Sequence, residues 1–221
     1  RIYGSYVAEV GGLHLLHVVQ ELVEGRNLRA AVADQRPTLS TIVGWICDLL
    51  SILESLHALQ PPLIHRDVKP SNLMLRSDGR IVLIDFGSAV DDLSRTFGHT
   101  ALAGTLGYQA AEQIIGQPST KSDVYSTGVV LVELATRIPP AQLLEGQGAL
   151  RWERKCRQLP TALQSWLDAV LDRDPDRRLS AAHALSRLRQ LDLSLPQQDT
   201  SPAARVGAAP TAVPDMLEDA I

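Results

Sequence analysis

The chain has 221 residues, 45% of them hydrophobic, and a formal net charge of −4. That length suits one domain, or one domain and a tail, with enough apolar material for a core, and the charge gives no reason to expect a nucleic-acid or membrane-surface partner. Two cysteines, Cys47 and Cys156, are too few and too far apart for a disulfide or metal framework, so both read as packed, inert thiols of a cytoplasmic protein. No apolar run reaches about eighteen residues free of charge, the length needed to span a bilayer, and no signal peptide is visible. The sequence opens on Arg1 with strand-like residues and so reads as a piece of something longer.

In chain order, RIYGSYVAEV and LHLLHVVQEL read as two strands joined at Gly11-Gly12. Two strands alone are marginal, so they are expected to pair with strands not contained here. His14 and His17 are three apart on the second strand and so face opposite ways, which makes them strand surface rather than a metal pair. From Ser40 to His57 the residues Ile42, Trp45, Ile46, Leu49, Leu53 and Leu56 follow helical spacing, with Ser40 or Thr41 as the cap and Pro61-Pro62 as the stop. Cys47 lies beside that stripe. LMLR, a Ser77-Asp78-Gly79 turn and RIVLI read as a second hairpin that delivers Asp85-Phe86-Gly87 at its exit. Ser88 to Gly107 is polar with little periodicity. SDVYSTGVVLVELATR reads as a helix central to the core, and helical spacing returns from about Ala162 to Leu193 with a break at Asp174-Pro175. Trp152 and Trp166 read as packing residues. From Leu195 to Ile221, Pro, Ala, Ser and Gln dominate, as in a disordered tail or linker.

Between the first long helix and the second hairpin stands IHRDVKPSNLML, Ile64 to Leu75, which crowds His, Arg, Asp, Lys and Asn together between apolar flanks. These are the groups phosphoryl transfer needs, because the chemistry is mostly alignment and charge neutralisation. The Asp67 carboxylate can orient an acceptor hydroxyl and take its proton. The Lys69 ammonium can sit against the phosphate oxygens. Asn72 and Asp85 offer the hard oxygens that magnesium prefers, and one short hairpin suffices to return Asp85 to the loop. The plain rivals are a loop ion pair for Asp67 and Lys69 and a turn cap for Asp85.

HRDVKPSN, DFG, GTLGYQAAEQ, SDVYSTG and DPDRR, in that order, resemble the large lobe of a protein kinase, most of all the bacterial serine/threonine type. The resemblance covers about residues 1 to 193. It implies an α+β, protein-kinase-like fold: residues 1–20 as the last small-lobe strands, a remnant hairpin, and 21–194 as hinge and mainly α-helical C-lobe, followed by the 195–221 tail. It makes Asp67 the catalytic base, Lys69 the phosphate contact, and Asn72 and Asp85 the magnesium ligands, with ATP as phosphate donor. Arg66 becomes the partner of a phosphorylated activation loop, for which Ser94, Thr96 and Thr100 are candidate sites or else ordinary solvated hydroxyls. Thr105 lies in the Gly-Thr element that in the family contacts the catalytic loop and favours Ser/Thr acceptors. His65 and Phe86 match packing positions, Glu112 and Arg178 a buried ion pair, and Asp123 the helix residue that holds the catalytic-loop backbone. VVQELVEG matches the hinge, with Gln20 as gatekeeper, Glu21 and Val23 offering backbone groups to adenine, Met74 under the ring and Ile84 ahead of the metal-binding Asp85.

Three features depart from the family pattern. Ala111 replaces the Pro of the A-P-E element, Gln20 is a polar gatekeeper, and no Gly-rich loop, strand lysine or partner glutamate precedes the hinge. The reading adopted is a serine/threonine protein kinase acting on protein hydroxyls, N-terminally truncated as given and by itself inactive. The alternatives are a non-catalytic binding lobe, which the intact Asp67, Lys69, Asn72 and Asp85 disfavour, and a small-molecule phosphotransferase. Protein substrates are the implied partners, dimerisation for autophosphorylation stays open, and no nucleic acid is expected.

Overall fold

The computed structural model describes residues 2–10, 13–86, 105–146 and 149–192. Its centre is α2 (Leu39–His57), which buries Ile42, Val43, Ile46, Leu49, Leu50 and Leu53 along one stripe. The cap lies ahead of both expected residues. Thr38, extended at φ −71° and ψ 160°, accepts a hydrogen bond from the Thr41 amide at 3.1 Å, so Ser40 and Thr41 lie inside the helix. Among the described residues, α2 is the one helix long and apolar enough to cross a membrane by length and composition. Asp48 and Glu54 interrupt it, and its stripe faces the protein core.

α4 (Thr120–Thr136) packs against α2 and is buried along nearly its whole length, from Ser122 to Val132. Ser119 and Ser122 form a reciprocal cap at its start, and Arg137 ends it in the left-handed region at φ 61°. The periodicity read from Ala162 onward resolves into α5 (Thr161–Val170) and α6 (Ala181–Arg189), separated by a longer interruption than Asp174-Pro175 alone. Trp166, 1% exposed, joins the two by donating its indole N–H to the Ala184 carbonyl at 2.9 Å. Trp152 and Cys156 are buried and Cys47 is packed against the core; burial pushes the Cys156 thiol up to about 11.

Among the described residues, the strands form three small antiparallel sheets. β1 (Ile2–Val10) pairs with β2 (Leu13–Gln20) in the first, with Tyr6 opposite His17 and Glu9 opposite His14. The second orders β3 (Arg26–Asn27), β4 (Leu73–Leu75) and β5 (Ile81–Leu83), which contains the expected hairpin. Gly25 enters β3 at φ +143°, where a Cβ would lie 2.3 Å from the Leu75 carbonyl oxygen, so the chain passes there only without a side chain. The third sheet pairs β6 (Leu144–Glu145) with β7 (Ala149–Leu150). Two short helices were not expected: α1 (Leu28–Asp34), capped by Asn27, and α3 (Ala111–Ile114). Gly11-Gly12, Gly87, Gly104, Ser94, Thr96, Thr100 and the expected tail lie outside the described residues, as do the side chains of His14, His17 and Gln20.

Candidate active site

The catalytic loop is held before its reactive groups are placed. Arg66 adopts φ +69°, a left-handed conformation that costs a side-chain-bearing residue roughly 1–2 kcal/mol. The cost is met by bonds on both sides of the residue. Asp123, 1% exposed in the first turn of α4, accepts the amides of His65 and Arg66 at 2.8 Å each, and Gln113 Nε2 donates to the Arg66 carbonyl at 2.6 Å. His57, the last residue of α2, donates from Nε2 to Asp123 Oδ2 at 2.9 Å. One buried carboxylate thus fixes two consecutive amides of the loop.

His65 is fully buried. Its Nε2 donates to the Ile84 carbonyl at 3.1 Å and its ring meets Phe86 edge-on at 4.9 Å between centroids. Burial holds its pKa below the ordinary value, against the opposing pull of Asp123. The ring is a neutral strut between the catalytic loop and the segment that carries Asp85.

On this frame the reactive groups converge. Lys69 Nζ lies 2.7 Å from Asp67 Oδ2 and donates to Thr105 Oγ1 at 2.7 Å, while Thr105 Oγ1 donates to Asp67 Oδ1 at 2.9 Å. Asn72 Nδ2 donates to the Asp67 carbonyl at 2.9 Å and to Asp67 Oδ2 at 3.0 Å. Asp67 and Lys69 side chains are 11% and 21% exposed, enough to meet a substrate at the surface. A carboxylate so positioned can align a hydroxyl and accept its proton, with an ammonium beside it for the developing charge.

The Asn72 amide nitrogen is committed to Asp67, so the oxygen of that side chain is the atom that could ligate a cation. The Ile84 amide donates to the Asn72 carbonyl at 2.9 Å, and the next residue, Asp85, sits at φ +65°. Two hard oxygen donors from adjoining segments therefore fit magnesium, which keeps several waters and shares its coordination with phosphate. Among the described residues no group of three or more His, Cys, Asp or Glu side chains forms a metal site of its own.

The loop that carries Thr105 is anchored from below. Gly107 turns it at φ +93°, where a Cβ would lie 3.0 Å from the Ala141 amide. Ser126 Oγ donates to the Tyr108 carbonyl at 2.8 Å, the Tyr108 hydroxyl donates to Glu133, and Arg29 Nη2 donates to that hydroxyl at 3.1 Å. Burial raises the pKa values of Tyr108 and of Glu133, which Tyr108 and Arg29 only partly offset for Glu133.

Glu112 and Arg178 meet as a two-pronged pair, Nη1–Oε1 at 2.6 Å and Nη2–Oε2 at 3.4 Å, with the guanidinium wholly buried. Further bonds hold both partners: Ser122 Oγ donates to Glu112 Oε1 at 2.7 Å, and Arg178 donates to the carbonyls of Asp172 and Lys121 at 2.9 and 2.8 Å. Arg178 also lies over the Tyr125 ring at 5.1 Å. Burial pushes the Glu112 carboxyl up, but the bonds from Arg178 and Ser122 outweigh it and the net pKa is lowered. A buried pair with a partner at each of its nitrogens and oxygens is the arrangement that avoids the desolvation penalty of a lone charge.

In the segment expected to be the hinge, Glu21 is exposed and Val23 half-buried, while Met74 on β4 stands opposite Asn27 of β3 and is half-buried like Ile84. The structure thus brings Asp67, Lys69, Asn72 and Thr105 into one network, with Arg66, His65, Phe86, Asp85 and Asp123 around it. Sequence reasoning gave no role to His57, Gln113, Ser122, Tyr108, Glu133 or Arg29. Their partners lie far away in sequence, so no spacing signals them; only Ser122, beside Asp123 and at the helix start, carried a local cue.

The family model for the protein kinase domain matches residues 6–188. The serine/threonine-protein kinase PknA of Nostoc sp. is 31% identical over 85% of this chain and 36% of its own length. Serine/threonine-protein kinase C of Synechocystis sp. is 34% identical over 80% of this chain and 35% of its own. The probable serine/threonine-protein kinase PknB of Corynebacterium glutamicum is 39% identical over 63% of this chain and 22% of its own. The chain therefore spans about a third or less of these relatives, and within that span it belongs to the protein kinase domain family, with helices and small antiparallel sheets that match the α+β architecture expected of it.

Proposed function

We propose that the chain supplies the acceptor-aligning lobe of an ATP-dependent serine/threonine protein kinase. The observation that carries the reading is the closed network of Asp67, Lys69, Thr105 and Asn72, with all contacts at 3.0 Å or less, on a loop clamped by Asp123. In this reading Asp67 orients the acceptor hydroxyl and receives its proton. Lys69, already beside Asp67, meets the charge that develops on the transferred group. Thr105 joins the two and sets the distance between them, a geometry suited to a serine or threonine side chain. Asn72 and Asp85 would hold magnesium, and bound ATP with its magnesium supplies the phosphoryl group and neutralises its charge. Glu21, Val23, Met74 and Ile84 would contact the adenine ring, and Arg66 would pair with a phosphorylated activation loop, at Ser94, Thr96 or Thr100.

Protein substrates follow from the printed names of the relatives and from the exposed Leu106 beside Thr105. The free thiols Cys47 and Cys156, together with the need for ATP, support a cytoplasmic catalytic face. The test uses the full-length protein with ATP, magnesium and dephosphorylated casein, followed by phosphoamino-acid analysis. Phosphoserine and phosphothreonine should form, and Asp85→Ala should lower transfer by at least about 10²-fold. Phosphotyrosine as the main product, or unimpaired transfer by Asp85→Ala, would overturn the assignment.

A further inference from the structure

The loop between β7 and α5 carries the run RWERKCR, Arg151 to Arg157, in a chain whose formal net charge is −4. Two side chains of the run are anchors: Trp152 is 4% exposed and Cys156 is fully buried. The backbone between them turns on itself, with the amides of Lys155 and Cys156 donating to the Trp152 carbonyl at 3.0 and 3.1 Å. Gln164 of α5 adds bonds from Nε2 to the carbonyls of Arg157 and Leu159, at 3.4 and 2.8 Å. Arg151, Glu153, Arg154, Lys155 and Arg157 stand exposed on this fixed backbone.

Their charges sort into two groups. Arg151 is 3.8 Å from Glu145, and Arg151 and Glu153 line a cleft together with Asp168, Asp172 and Arg173, so that side is compensated. Arg154, Lys155 and Arg157 line no part of the cleft, and their side chains have no ion-pair or hydrogen-bond partner among the described residues. Three cations within four residues are thus held at the surface without a counter-charge.

The number of cations points to the kind of partner. Three are fewer than the roughly four to eight that hold a segment on an anionic membrane, and fewer than the roughly six to ten phosphate contacts of a strong nucleic-acid site. They match a short acidic peptide, and the chain carries one. In residues 193–221 the charged residues are Asp199, Arg205, Asp215, Glu218 and Asp219, so the last three stand together with no base among them. The patch lies close to α6, from which this stretch departs: Gln164 bonds to Arg157, and Trp166, on the same helix, bonds to Ala184 of α6. These contacts put the patch within roughly 40 Å of the end of α6. The connection from 193 to 214 can extend to about 75 Å. A connection of that length holds the acidic run at a millimolar effective concentration, which populates a contact built from individually weak surface ion pairs.

We propose that Arg154, Lys155 and Arg157 form the docking surface for the acidic segment Asp215–Asp219 of the same chain. The contact folds the stretch beyond α6 back onto the loop before α5. It is independent of the kinase reading, since it holds whether or not the lobe transfers phosphate.

The test is zero-length carbodiimide cross-linking of the full-length protein, which joins the Lys155 ammonium to a carboxylate only where the two touch. Lys69 is held by Asp67 and Thr105 and Lys121 by the Arg178 carbonyl, and peptide mass spectrometry separates any product of theirs. The expected product joins Lys155 to Asp215, Glu218 or Asp219 and does not depend on protein concentration. Its yield should fall about fivefold at about 0.5 M sodium chloride, where the screening length is about 4 Å. Arg154→Glu with Arg157→Glu keeps the Lys155 reporter, Asp215→Lys with Asp219→Lys keeps Glu218, and each pair should lower the yield about tenfold. The four changes together should restore the Lys155–Glu218 link. The pair at 215 and 219 leaves the lobe untouched, so it decides the matter even where the loop variant fails a thermal-unfolding check. Absence of the product at low salt overturns the proposal, as does a product that survives reversal at 215 and 219. A product that grows with protein concentration also overturns it, since that assigns the patch to a second copy.

Discussion

The catalytic loop and the hinge are parts of one chain built to opposite standards. From His65 to Asn72 many polar groups have partners within the lobe: two backbone amides end on Asp123, a carbonyl on Gln113, and the Asp67 carboxylate on Lys69, Thr105 and Asn72. The hinge from Glu21 to Gly25 is exposed or half-buried throughout, and Leu22 is 88% exposed. Before it, β1 and β2 form a two-stranded sheet of their own. Under the proposed reading, the difference teaches that the groups that would align an acceptor are tied to one another within this lobe, whereas the segment that would meet the nucleotide carries far fewer internal ties.

The strongest way to break that comparison is to attack the frame of the rigid side without touching its chemistry. Glu112→Ala leaves Arg178 as an unpaired buried cation, and such changes cost about 3–5 kcal/mol. A denaturation midpoint lowered accordingly, with transfer reduced in parallel, is the expected outcome; an unchanged unfolding curve removes the ion pair from the account.

Acid should weaken the same side. The His65 pKa lies below its ordinary 6.5 because of burial, so the unfolded chain takes up a proton that the folded chain refuses until lower pH. Stability therefore falls as pH drops through 6.5 toward the folded value. Glu112 is also held below its ordinary 4.5, and its contribution, complete above that pH, is lost as pH falls through its folded value. Urea midpoints measured downward from neutral pH should decline in those two windows. In His65→Phe the decline near pH 6.5 should be smaller.

The smallest effect belongs to the hinge. Leu22→Ala should change stability by no more than about 0.5 kcal/mol, whereas Leu50→Ala, at a fully buried site of α2, should cost about 2–5 kcal/mol. Equal losses in the two unfolding curves would show that the hinge is packed in solution and that the contrast is false.

Much of this was legible from residues alone where the signal is local or periodic. The stripe from Ile42 to Leu56, the Ser77-Asp78-Gly79 turn and the apolar run of α4 each carry their own period or turn chemistry, and they form where expected. The crowding in HRDVKPSN marked the candidate site because five chemically distinct polar groups, those of His, Arg, Asp, Lys and Asn, rarely share so short a loop by accident. What stayed hidden is tertiary. α1 buries only Leu28, so it shows no apolar stripe. The start of α2 fell on Thr38 because the backbone turns from extended to helical there, a choice that Ser40 and Thr41 do not reveal. His57 reads as an ordinary residue at a helix end, yet its partner Asp123 lies 66 positions away. Such bonds obey geometry, and geometry leaves no period in the sequence.

The central claim, that acceptor alignment is separable from nucleotide binding, is tested most directly by one substitution read in two ways. Asp67→Asn in the full-length protein keeps the size of the side chain and removes its charge and its basicity. Magnesium-dependent ATP affinity and phosphoryl transfer should be measured side by side. The account predicts an unchanged affinity with transfer reduced by about 10²–10⁴-fold. Near-normal transfer by Asp67→Asn would contradict it, and so would a loss of ATP binding as large as the loss of transfer.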